Sequence, residues 1–356
     1  MRIAAIESFP TSERGGSEKA FFEVLSRLKR LGHEIVVFYI LEGDLISRYN
    51  SEGITCIQIT GVNIQSYLKV RQYSNLIKSA LKINSINPDL IYINQLLHAP
   101  LAILCKFLKK TKVVSHLRLP RLGDSLQLNS AGKKIDLLIA VNPKIKIQYS
   151  NLFRKSKILV IQDAIVIPKK LKEEKEHKSR RVICLGRISP EKGLDSVIEV
   201  WKRISNEKLK LDIIGPVYSQ EEKEYKSKLL QKIINYDLEE LIHILPPVAN
   251  PLDTISTYDL LIFPSSWQEP FGRTIPEAIL AGVPVLSRNV GITSEILAPA
   301  ADTLIFNNDE ELKNKILSFY KEDLKFNIRD LQNHIITEYD VEKNVRHVEN
   351  AMLALL

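Results

Sequence analysis

Apolar residues in the first half of the chain fall into short runs, and longer amphipathic stretches separate these runs. The runs predict β-strands at Arg2–Glu7, Glu34–Ile40, Ile54–Ile59, Leu90–Ile93, Lys112–His116, Leu137–Val141 and Ile158–Ile161. The amphipathic pattern predicts helices most clearly at Ser17–Leu31 and Ser66–Ile83. Such alternation is typical of a doubly wound, mostly parallel α/β sheet.

A second alternation of the same kind begins at Arg181. It predicts strands at Val182–Arg187, Leu209–Ile214, Leu241–Ile244, Leu260–Phe263, Pro284–Leu286 and Thr303–Ile305. Helices are expected from Leu194, Gln220 and Thr274. The sequence therefore predicts two similar Rossmann-like domains, over residues 1–168 and 182–338.

Two further segments complete the predicted organisation. Residues 169–181 hold seven Lys or Arg against three Glu and show no apolar periodicity, which predicts an exposed linker and hinge. Residues 339–356 carry a single apolar stripe at helical spacing, formed by Val341, Val345, Val348, Met352 and Leu355. A helix of this kind must pack on another surface, and we expect that surface to be the N-terminal domain.

Composition limits the class of protein. With 45% hydrophobic and 26% charged residues among 356, the chain is too apolar for disorder and too long for one small core. The three cysteines show no C-x-x-C spacing, so neither a disulfide framework nor a zinc site is indicated, and a reducing compartment is expected. The sequence shows no signal-peptide pattern and no membrane-spanning run. We expect a cytoplasmic protein, at most peripheral at the inner face of the membrane.

The net charge of +8 favours polyanionic partners, which include nucleotide diphosphates, anionic lipid and nucleic acid. Basic residues are dispersed or lie in the linker, and no nucleic-acid-binding motif is present, so a nucleic-acid partner is not expected. Helix Ser66–Ile83 interleaves Lys and Arg with Tyr, Leu and Ile, which is consistent with a membrane-surface or lipid-acceptor face. The simpler interpretation, an ordinary amphipathic helix packed on the sheet, is favoured.

Candidate chemistry begins where the predicted strand Leu260–Phe263 ends. A loop rich in Pro, Ser and Gly follows, and a helix starts at Thr274. Ligands bind at the carboxyl edge of parallel sheets, and the amides around Gly272–Ile275 suit a phosphate. Glu269 in the loop and Glu277 one turn into the helix are expected to face the same crevice.

A second constellation is the segment Gly186-Arg187-Ile-Ser-Pro-Glu-Lys192-Gly193, again between a strand and a helix. Arg187 offers a planar charged fork and Lys192 a mobile point charge, which together suit a diphosphate leaving group and can replace a divalent metal. The sequence has no D-x-D, H-E-x-x-H, G-x-x-x-x-G-K-[ST] or G-x-G-x-x-G pattern. Metal-centred chemistry, a P-loop and a dinucleotide site all lack their signatures.

One segment resembles the signature of the retaining family 4 glycosyltransferases, also called glycosyl transferases group 1. It is Glu269-x7-Glu277, within the run Pro-Ser-Ser-Trp-Gln-Glu-Pro-Phe-Gly-Arg-Thr-Ile-Pro-Glu. Other matching segments follow in the family's order: Gly15-Gly16-Ser-Glu18, Gly32-His-Glu, Val-Ser-His116, Gly186-Arg187 with Lys192, and Gly291-Ile-Thr-Ser-Glu295. The resemblance spans nearly the whole chain and is loose between Val62 and Asp136.

The resemblance implies the GT-B architecture, two Rossmann-like domains with a donor cleft between them. It also implies transfer of a hexose from a UDP- or GDP-sugar, with retention of anomeric configuration and without a metal or cofactor. The acceptor hydroxyl would attack on the face from which the diphosphate leaves, so electrostatic stabilisation of that leaving group would carry most of the catalysis. Glycolipid, surface polysaccharide and small-molecule glycoside all remain open as acceptors.

Residue roles follow from the same resemblance. It implies that Arg187 and Lys192 bind the diphosphate, that Glu277 binds the ribose and that Glu269 holds the transferred sugar. It implies backbone contacts to the sugar from Phe271, Gly272 and Arg273, and to the phosphate near Thr274. Gly15 and Gly16 would form a glycine loop near the diphosphate and acceptor, and His116 would lie beside the sugar.

This sequence departs from the family pattern at two turns. Asp163-Ala164 stands where the family has an Asn-Gly turn, and Gly215-Pro216-Val217 replaces a turn of small residues. These departures concern fine donor geometry more than the fold.

Simpler interpretations stay open beside the resemblance. His116 can be a hydrogen-bonded core histidine, and Gly15-Gly16 can be only a tight turn. Paired carboxylates also occur in glycosidases, although that function leaves Arg187 and Lys192 unexplained. A catalytically silent sugar-nucleotide-binding protein is the remaining alternative, and the retention of both glutamates argues against it.

Overall fold

Two parallel sheets organise the chain in the computed structural model, which describes residues 1–12, 15–61, 70–120, 126–153, 157–173 and 179–356. One unit comprises Met1–Val166 and Val341–Leu356, and the other comprises Ile167–Asp340. The expected domains were residues 1–168 and 182–338, whereas the second unit here begins at Ile167 and includes the expected linker.

The first unit contains a seven-stranded sheet in the order β3-β2-β1-β4-β5-β6-β7, with parallel pairing throughout. Its strands are β1 Arg2–Ile6, β2 Glu34–Tyr39, β3 Thr55–Gln58, β4 Leu90–Ile93, β5 Lys112–Leu117, β6 Leu137–Ala140 and β7 Lys157–Val160. Its helices are α1 Gly16–Arg30, α2 Leu45–Ser51, α3 Val70–Asn84, α4 Ala99–Lys109, α5 Leu126–Gly132, α6 Pro143–Ser150 and the C-terminal α15 Val341–Leu353. The part of the expected helix Ser66–Ile83 before residue 70 lies outside the described residues.

Strand alternation divides the core of this unit into two layers. Ile3 and Ala5 of β1 pack with α1, α2 and α15, whereas Ala4 and Ile6 pack with α3, α4 and α6 on the opposite face. The chain order reverses at the pair β1 and β4, so the carboxyl ends of these strands form the crevice in which doubly wound sheets bind ligands.

Helix α15 belongs to the first unit although it closes the sequence. Four of the five stripe residues are buried in the layer that contains α1: Val341, Val345, Val348 and Met352. Leu355 lies beyond the end of α15 and is partly buried against the same layer. Two ion pairs flank this contact, Arg27 Nε with Glu342 Oε1 at 2.7 Å and His33 Nε2 with Glu349 Oε1 at 2.7 Å.

The second unit contains a six-stranded parallel sheet in the order β10-β9-β8-β11-β12-β13. Its strands are β8 Arg181–Leu185, β9 Lys210–Ile214, β10 Ile242–Leu245, β11 Leu260–Phe263, β12 Val285–Arg288 and β13 Ile305–Phe306. Its helices are α7 Leu194–Arg203, α8 Gln220–Asn235, α9 Pro251–Ile255, α10 Thr274–Leu280, α11 Thr293–Ile296, α12 Ala301–Leu304, α13 Asp309–Tyr320 and α14 Ile328–Tyr339. Here the order reverses between β8 and β11, the strands that precede the two sequence constellations.

The described part of the expected linker 169–181 contacts the second unit, although several of its residues are exposed: Lys169, Lys170, Glu173, Ser179 and Arg180. The Lys172 Nζ donates to Ser256 Oγ at 2.7 Å, and its carbonyl accepts from Gln332 Nε2 at 2.8 Å. Gly282 lies so close to the backbone that a Cβ there would be 2.4 Å from the Glu173 carbonyl oxygen. This described part is therefore packed on the second unit, because its own backbone groups bond there. Residues 174–178 lie outside the description.

Across the described ranges, no helix combines the length and the hydropathy needed to cross a bilayer.

Candidate functional site

Two loops meet at the reversal of strand order in the second sheet. The loop after β8 runs from Gly186 to Gly193, and Gly193 adopts a left-handed conformation with φ 65°. A Cβ at Gly193 would lie 2.4 Å from the Pro264 carbonyl oxygen in the loop after β11, so only glycine permits this approach. The Ser266 amide donates to the Glu191 carbonyl at 2.9 Å and fastens the second loop to the first.

Lys192 and Glu269 come together across these loops. The ammonium of Lys192 contacts Glu269 Oε1, and the Ser265 hydroxyl donates to the same oxygen at 2.9 Å. The Glu269 side chain is 11% exposed and that of Lys192 24%, so the pair is partly screened from water. A charge-assisted contact of this kind fixes both head groups at the carboxyl edge of the sheet.

Arg187 makes different contacts from Lys192. Its Nη2 donates to Glu191 Oε1 at 2.5 Å, and its Nη1 lies 3.2 Å from Glu222 Oε1. Glu222 is buried in the capping box that starts α8, where the Ser219 side chain and the Glu222 side chain each bond the other residue's amide. The guanidinium is therefore held between two carboxylates while its side chain remains 40% exposed.

Neither carboxylate partner of Arg187 was among the predicted site residues. A signal for each exists in the sequence: Glu191 lies four positions after Arg187, and Ser219-x-x-Glu222 has the capping-box pattern. The pattern alone does not show that Glu222 also reaches the loop after β8.

The turn before α10 places the remaining predicted donor residues. Gly272 is left-handed with φ 72° and packs against the Phe263 ring, and the Phe271 ring packs on Tyr339 with 5.4 Å between centroids. Glu277 is buried, and its Oε1 lies 3.7 Å from Arg273 Nη2. Thr274 is the first residue of the helix.

One expectation about this turn is wrong. The amide of Ile275 is not free for a phosphate, because it donates to the Gly272 carbonyl at 3.0 Å and closes the turn. Helix α10 is also only seven residues long, which limits its dipole. One of the amides expected to be free for a phosphate is therefore already bonded within the turn.

The loop after β12 braces the backbone of Glu269. The Gly291 amide donates to Gln268 Oε1 at 3.1 Å, and a Cβ at Gly291 would lie 1.9 Å from the Glu269 carbonyl oxygen. Gly291, part of the predicted Gly291-Ile-Thr-Ser-Glu295 segment, thus permits the close packing that sets the position of Glu269.

In the first unit, Gly15 and Gly16 lie at the start of α1. Gly15 has an extended backbone with φ 174°, which any residue can adopt, so a tight turn does not account for glycine there. The nearest atom to a Cβ at Gly15 would be Glu18 Oε2, at the ordinary van der Waals distance of 3.7 Å, so a Cβ would fit there. Residues 13 and 14 lie outside the description.

His116 is buried in β5, at 2% exposure. Its Nδ1 is hydrogen-bonded to the Tyr92 hydroxyl, and the two rings lie 5.4 Å apart. Burial, together with the positive charge of Arg118, places the pKa of His116 well below its ordinary value, so the ring is neutral. This arrangement fits the simpler interpretation of His116 as a hydrogen-bonded core histidine. Contact between His116 and a ligand stays a prediction.

A buried polar chain at the carboxyl edge of the first sheet was not predicted. Arg118 contacts Asp163 and donates through Nε to Asn94 Oδ1 at 2.9 Å. Asn94 Nδ2 in turn donates to Glu7 Oε1 at 3.1 Å, and the Tyr49 hydroxyl donates to Glu7 Oε2 at 3.1 Å. Asp163, the residue that replaces the usual Asn, thus anchors a buried guanidinium.

The sequence signal for this chain is a polar residue placed directly after a buried strand. Glu7 follows β1, Asn94 follows β4 and Arg118 follows β5. Burial, and secondarily Glu18, raises the pKa of Glu7 well above its ordinary value. The chain lies beside the start of α1, because the Gln95 side chain, next to Asn94, reaches the Ser17 hydroxyl at 3.4 Å.

Comparison with known proteins places this geometry in context. Residues 167–338 match the family model described as glycosyl transferases group 1. An uncharacterised 42.6 kDa protein from the cps region of Klebsiella pneumoniae is 25% identical over 174 residues, 48% of this chain and 43% of that protein. The amylovoran biosynthesis glycosyltransferase AmsD of Erwinia amylovora is 34% identical over 70 residues, 20% of this chain and 18% of its own.

Among solved structures, Anabaena HepE in complex with UDP and glucose superposes with a TM-score of 0.82 at 20% identity, over 100% of both chains. At this identity the likeness establishes the fold. The curated sequence relatives are matched over less than half of their own length.

Proposed function

Because residues 167–338 match the glycosyl transferases group 1 family and the whole chain has the GT-B fold, we propose that this protein is a retaining hexosyltransferase. It moves a hexose from a UDP- or GDP-sugar to a hydroxyl acceptor. The observation that carries the proposal is the convergence of Arg187, Lys192 and Glu269 on one edge of the second sheet.

The proposed step breaks one bond and forms another at the anomeric carbon. The acceptor hydroxyl attacks on the face from which the diphosphate departs, and the bond from the anomeric carbon to the diphosphate oxygen breaks. The acceptor proton passes to that departing oxygen, so the products are a glycoside and a nucleoside diphosphate. Arg187 and Lys192 stabilise the charge that develops on the leaving group.

Donor binding has to rearrange the ion pairs of the site. Glu269 and Glu191 contact the same cations that the proposal assigns to the diphosphate. A diphosphate carries more charge than either carboxylate and can replace them as the partner of Lys192 and Arg187. Glu269, released from Lys192, is then free to accept hydrogen bonds from the hexose hydroxyls.

The other donor contacts in the proposal come from the turn before α10. Glu277 binds the ribose hydroxyls, and the backbone of Phe271, Gly272 and Arg273 contacts the sugar, with Thr274 next to the phosphate. Support for Glu277 is its burial at the start of α10 beside Arg273, which holds the carboxylate in place.

The first unit supplies the acceptor side in this proposal. Gly15 and Gly16 allow a ligand to approach the start of α1, and His116 contributes beside the sugar. One named relative is a glycosyltransferase of amylovoran biosynthesis and another is a protein of a cps region. On this basis the proposed acceptor is a growing surface polysaccharide, free or lipid-linked.

Thermal-shift titration with UDP, GDP, ADP and their sugars tests the donor site. One class of nucleotide should raise the melting temperature of the wild type, and Lys192→Ala and Glu277→Gln should reduce that rise. Lys228→Ala, an exposed lysine on α8, is the matched control. If no nucleotide stabilises the wild type, or if both site variants respond like Lys228→Ala, the donor-site assignment is wrong.

Activity separates the proposal from its alternatives. Release of nucleoside diphosphate together with a new glycoside supports transfer, whereas tight binding without turnover over a panel of acceptors indicates a silent binding protein. Hydrolysis of simple glycosides without nucleotide dependence indicates a glycosidase. Transfer is proposed to be metal-independent, so a strict need for Mg²⁺ or Mn²⁺ after thorough chelation would contradict this part of the mechanism.

A further inference from the structure

Charge is distributed very unevenly along the chain. Residues 53–162 contain seventeen of the 50 Lys and Arg but only three of the 42 Asp and Glu, so this segment carries +14 and the rest of the chain −6. The four helices α3, α4, α5 and α6 lie in this segment, and none of them contains an Asp or Glu. Residues of these helices belong to one core layer on a single face of the first sheet, so the described basic residues of the helices lie on that side.

Helix α3 has two apolar ridges and needs only one of them for packing. Leu76, Ala80 and Ile83 are buried against the sheet. Tyr73, Ile77 and Leu81 recur every four residues on a second ridge and are exposed, with Ile77 at 50% and Leu81 at 57%. The ordinary amphipathic helix expected from the sequence accounts for the first ridge and leaves the second unexplained.

Helix α4 runs beside α3 and adds exposed apolar residues at its own end. Asn84 Nδ2 of α3 donates to the Cys105 carbonyl of α4 at 3.2 Å, which aligns the last turns of the two helices. Phe107 is 68% exposed and Leu108 51%. The Lys134 ammonium lies 4.9 Å from the centre of the Phe107 ring.

Exposed lysines accompany these apolar side chains. Lys78 and Lys82 lie one position after Ile77 and Leu81 on α3, and Lys109 and Lys110 follow Phe107 and Leu108. Apolar side chains surrounded by lysines, with no acid on either helix, are the pattern of a surface that enters the headgroup region of an anionic bilayer. Scattered surface residues would show no such segregation of charge.

We propose that the exposed faces of α3 and α4 dock this protein on a bilayer rich in anionic phospholipid. Tyr73, Ile77, Leu81, Phe107 and Leu108 enter the interface, and the neighbouring lysines contact phosphate headgroups. A membrane is favoured over nucleic acid because the exposed aliphatic side chains Ile77, Leu81 and Leu108 gain nothing from a solvated phosphate backbone.

Flotation of the full chain with vesicles tests the proposal. Vesicles of equal parts phosphatidylglycerol and phosphatidylcholine should carry the protein, and pure phosphatidylcholine should not. Lys78→Gln with Lys82→Gln should lower the partition coefficient roughly 25-fold, about fivefold for each lysine. Ile77→Ser with Leu81→Ser should lower it roughly tenfold or more, through the lost apolar burial.

Matched controls exist on α8 of the second unit. Leu230 and Ile234 have the same spacing as Ile77 and Leu81, and their exposures are 43% and 52%. Leu230→Ser with Ile234→Ser should leave flotation unchanged, and so should Lys223→Gln with Lys228→Gln. The melting temperatures of all variants show whether any loss of vesicle flotation comes from unfolding of the protein.

Three results would overturn the proposal. Equal binding to neutral vesicles excludes the charged interface, and wild-type flotation of both α3 variants excludes this surface. The surface would instead belong to nucleic acid if a single-stranded oligonucleotide displaced the protein from the vesicles and the lysine variant no longer bound that oligonucleotide. The nucleotide thermal shift should be the same in every surface variant, so failure here is distinguishable from failure of the proposed donor site.

Discussion

Lys192 contacts the carboxylate of Glu269, a residue 77 positions further along the chain, at the point where the order of the second sheet reverses. The contact joins the residue proposed for the diphosphate to the residue proposed for the sugar. Arg187 is likewise paired, with Glu191 and Glu222. The cations of the site are therefore already partnered by carboxylates, so the proposed function requires that a bound nucleotide exchange with them.

Glu191→Gln should strengthen nucleoside diphosphate binding. The substitution removes one of the anions that compete for Arg187 and retains the backbone carbonyl that accepts from Ser266. Because exposed ion pairs contribute about 0.2–1 kcal/mol, the expected gain in affinity is roughly 1.4- to fivefold. Calorimetric titration with the nucleotide that stabilises the wild type measures it.

Glu224→Gln, an exposed change on α8, is the control for that experiment. It should leave the affinity as in the wild type. Weaker binding by Glu191→Gln would show that Glu191 supports the bound ligand and does not compete with it.

Glu269→Gln should separate binding of the nucleotide from recognition of the sugar. Affinity for the nucleoside diphosphate should be kept or raised, because Lys192 loses its competing carboxylate. Hydrogen bonds to a charged group contribute about 1.5–3 kcal/mol, so transfer activity should fall roughly 10- to 100-fold. Nucleotide titration and initial transfer rates on the same preparation give both values.

The opposite pattern would refute this role of Glu269. If the variant loses nucleoside diphosphate affinity and transfers sugar at the wild-type rate once saturated, Glu269 organises the diphosphate site and does not contact the sugar.

The elements that place Lys192 and Glu269 could be predicted from the sequence. The apolar runs that became β8 and β11 end directly before the two motif loops, and parallel strands bring such loops to one edge. Helix starts at Leu194, Gln220 and Thr274 also match the structure, because each follows a turn or capping signal.

Side-chain partners could not be predicted in the same way. Whether Arg187 pairs with Glu222 depends on the distance between the start of α8 and the loop after β8, which periodicity does not specify. The polar chain Glu7, Asn94, Arg118 and Asp163 draws on segments after four different strands, so only the sheet order shows that they meet. The amide of Ile275 was expected to be free, but the helical backbone of Arg273 directs it back to the Gly272 carbonyl.

Acid should destabilise the protein through His98. This ring is buried, its Nε2 is hydrogen-bonded to the Ser8 hydroxyl at 2.7 Å, and burial lowers its pKa from 6.5 to about 4. Below pH 6.5, His98 of the unfolded chain binds a proton, whereas His98 of the folded chain stays neutral until the pH nears its lowered pKa. The free energy of unfolding therefore falls as the pH falls from 6.5 towards 4. Protonation of His98 lowers the free energy of unfolding by up to about 3 kcal/mol.

Melting temperatures between pH 4 and 8 check this expectation, with His98→Gln as the test variant. Gln does not titrate and can still bond Ser8, so the variant should lose less stability on acidification than the wild type. His347→Gln, at an exposed position on α15, should follow the wild type. If the melting temperatures of all three proteins fell in parallel with pH, the pKa of His98 would not be lowered in the folded state.

Glu7 should give the opposite pH dependence. Burial raises its folded pKa well above the ordinary value of 4.5, so the folded carboxyl keeps its proton while the unfolded one ionises. Stability from this residue is therefore complete below pH 4.5 and is lost as the pH rises through the raised folded pKa. Glu7→Gln removes this loss and keeps an oxygen that can accept from Tyr49 or Asn94.

The variant should accordingly melt at a higher temperature than the wild type at pH 8, and the difference should shrink as the pH approaches 4. Glu42→Gln, an exposed change that follows β2, controls for the loss of one negative charge. A Glu7→Gln protein that is less stable than the wild type at every pH would show that both carboxylate oxygens are needed by the polar chain to Arg118. In that case Glu7 acts through its two hydrogen bonds, and its ionisation does not limit stability.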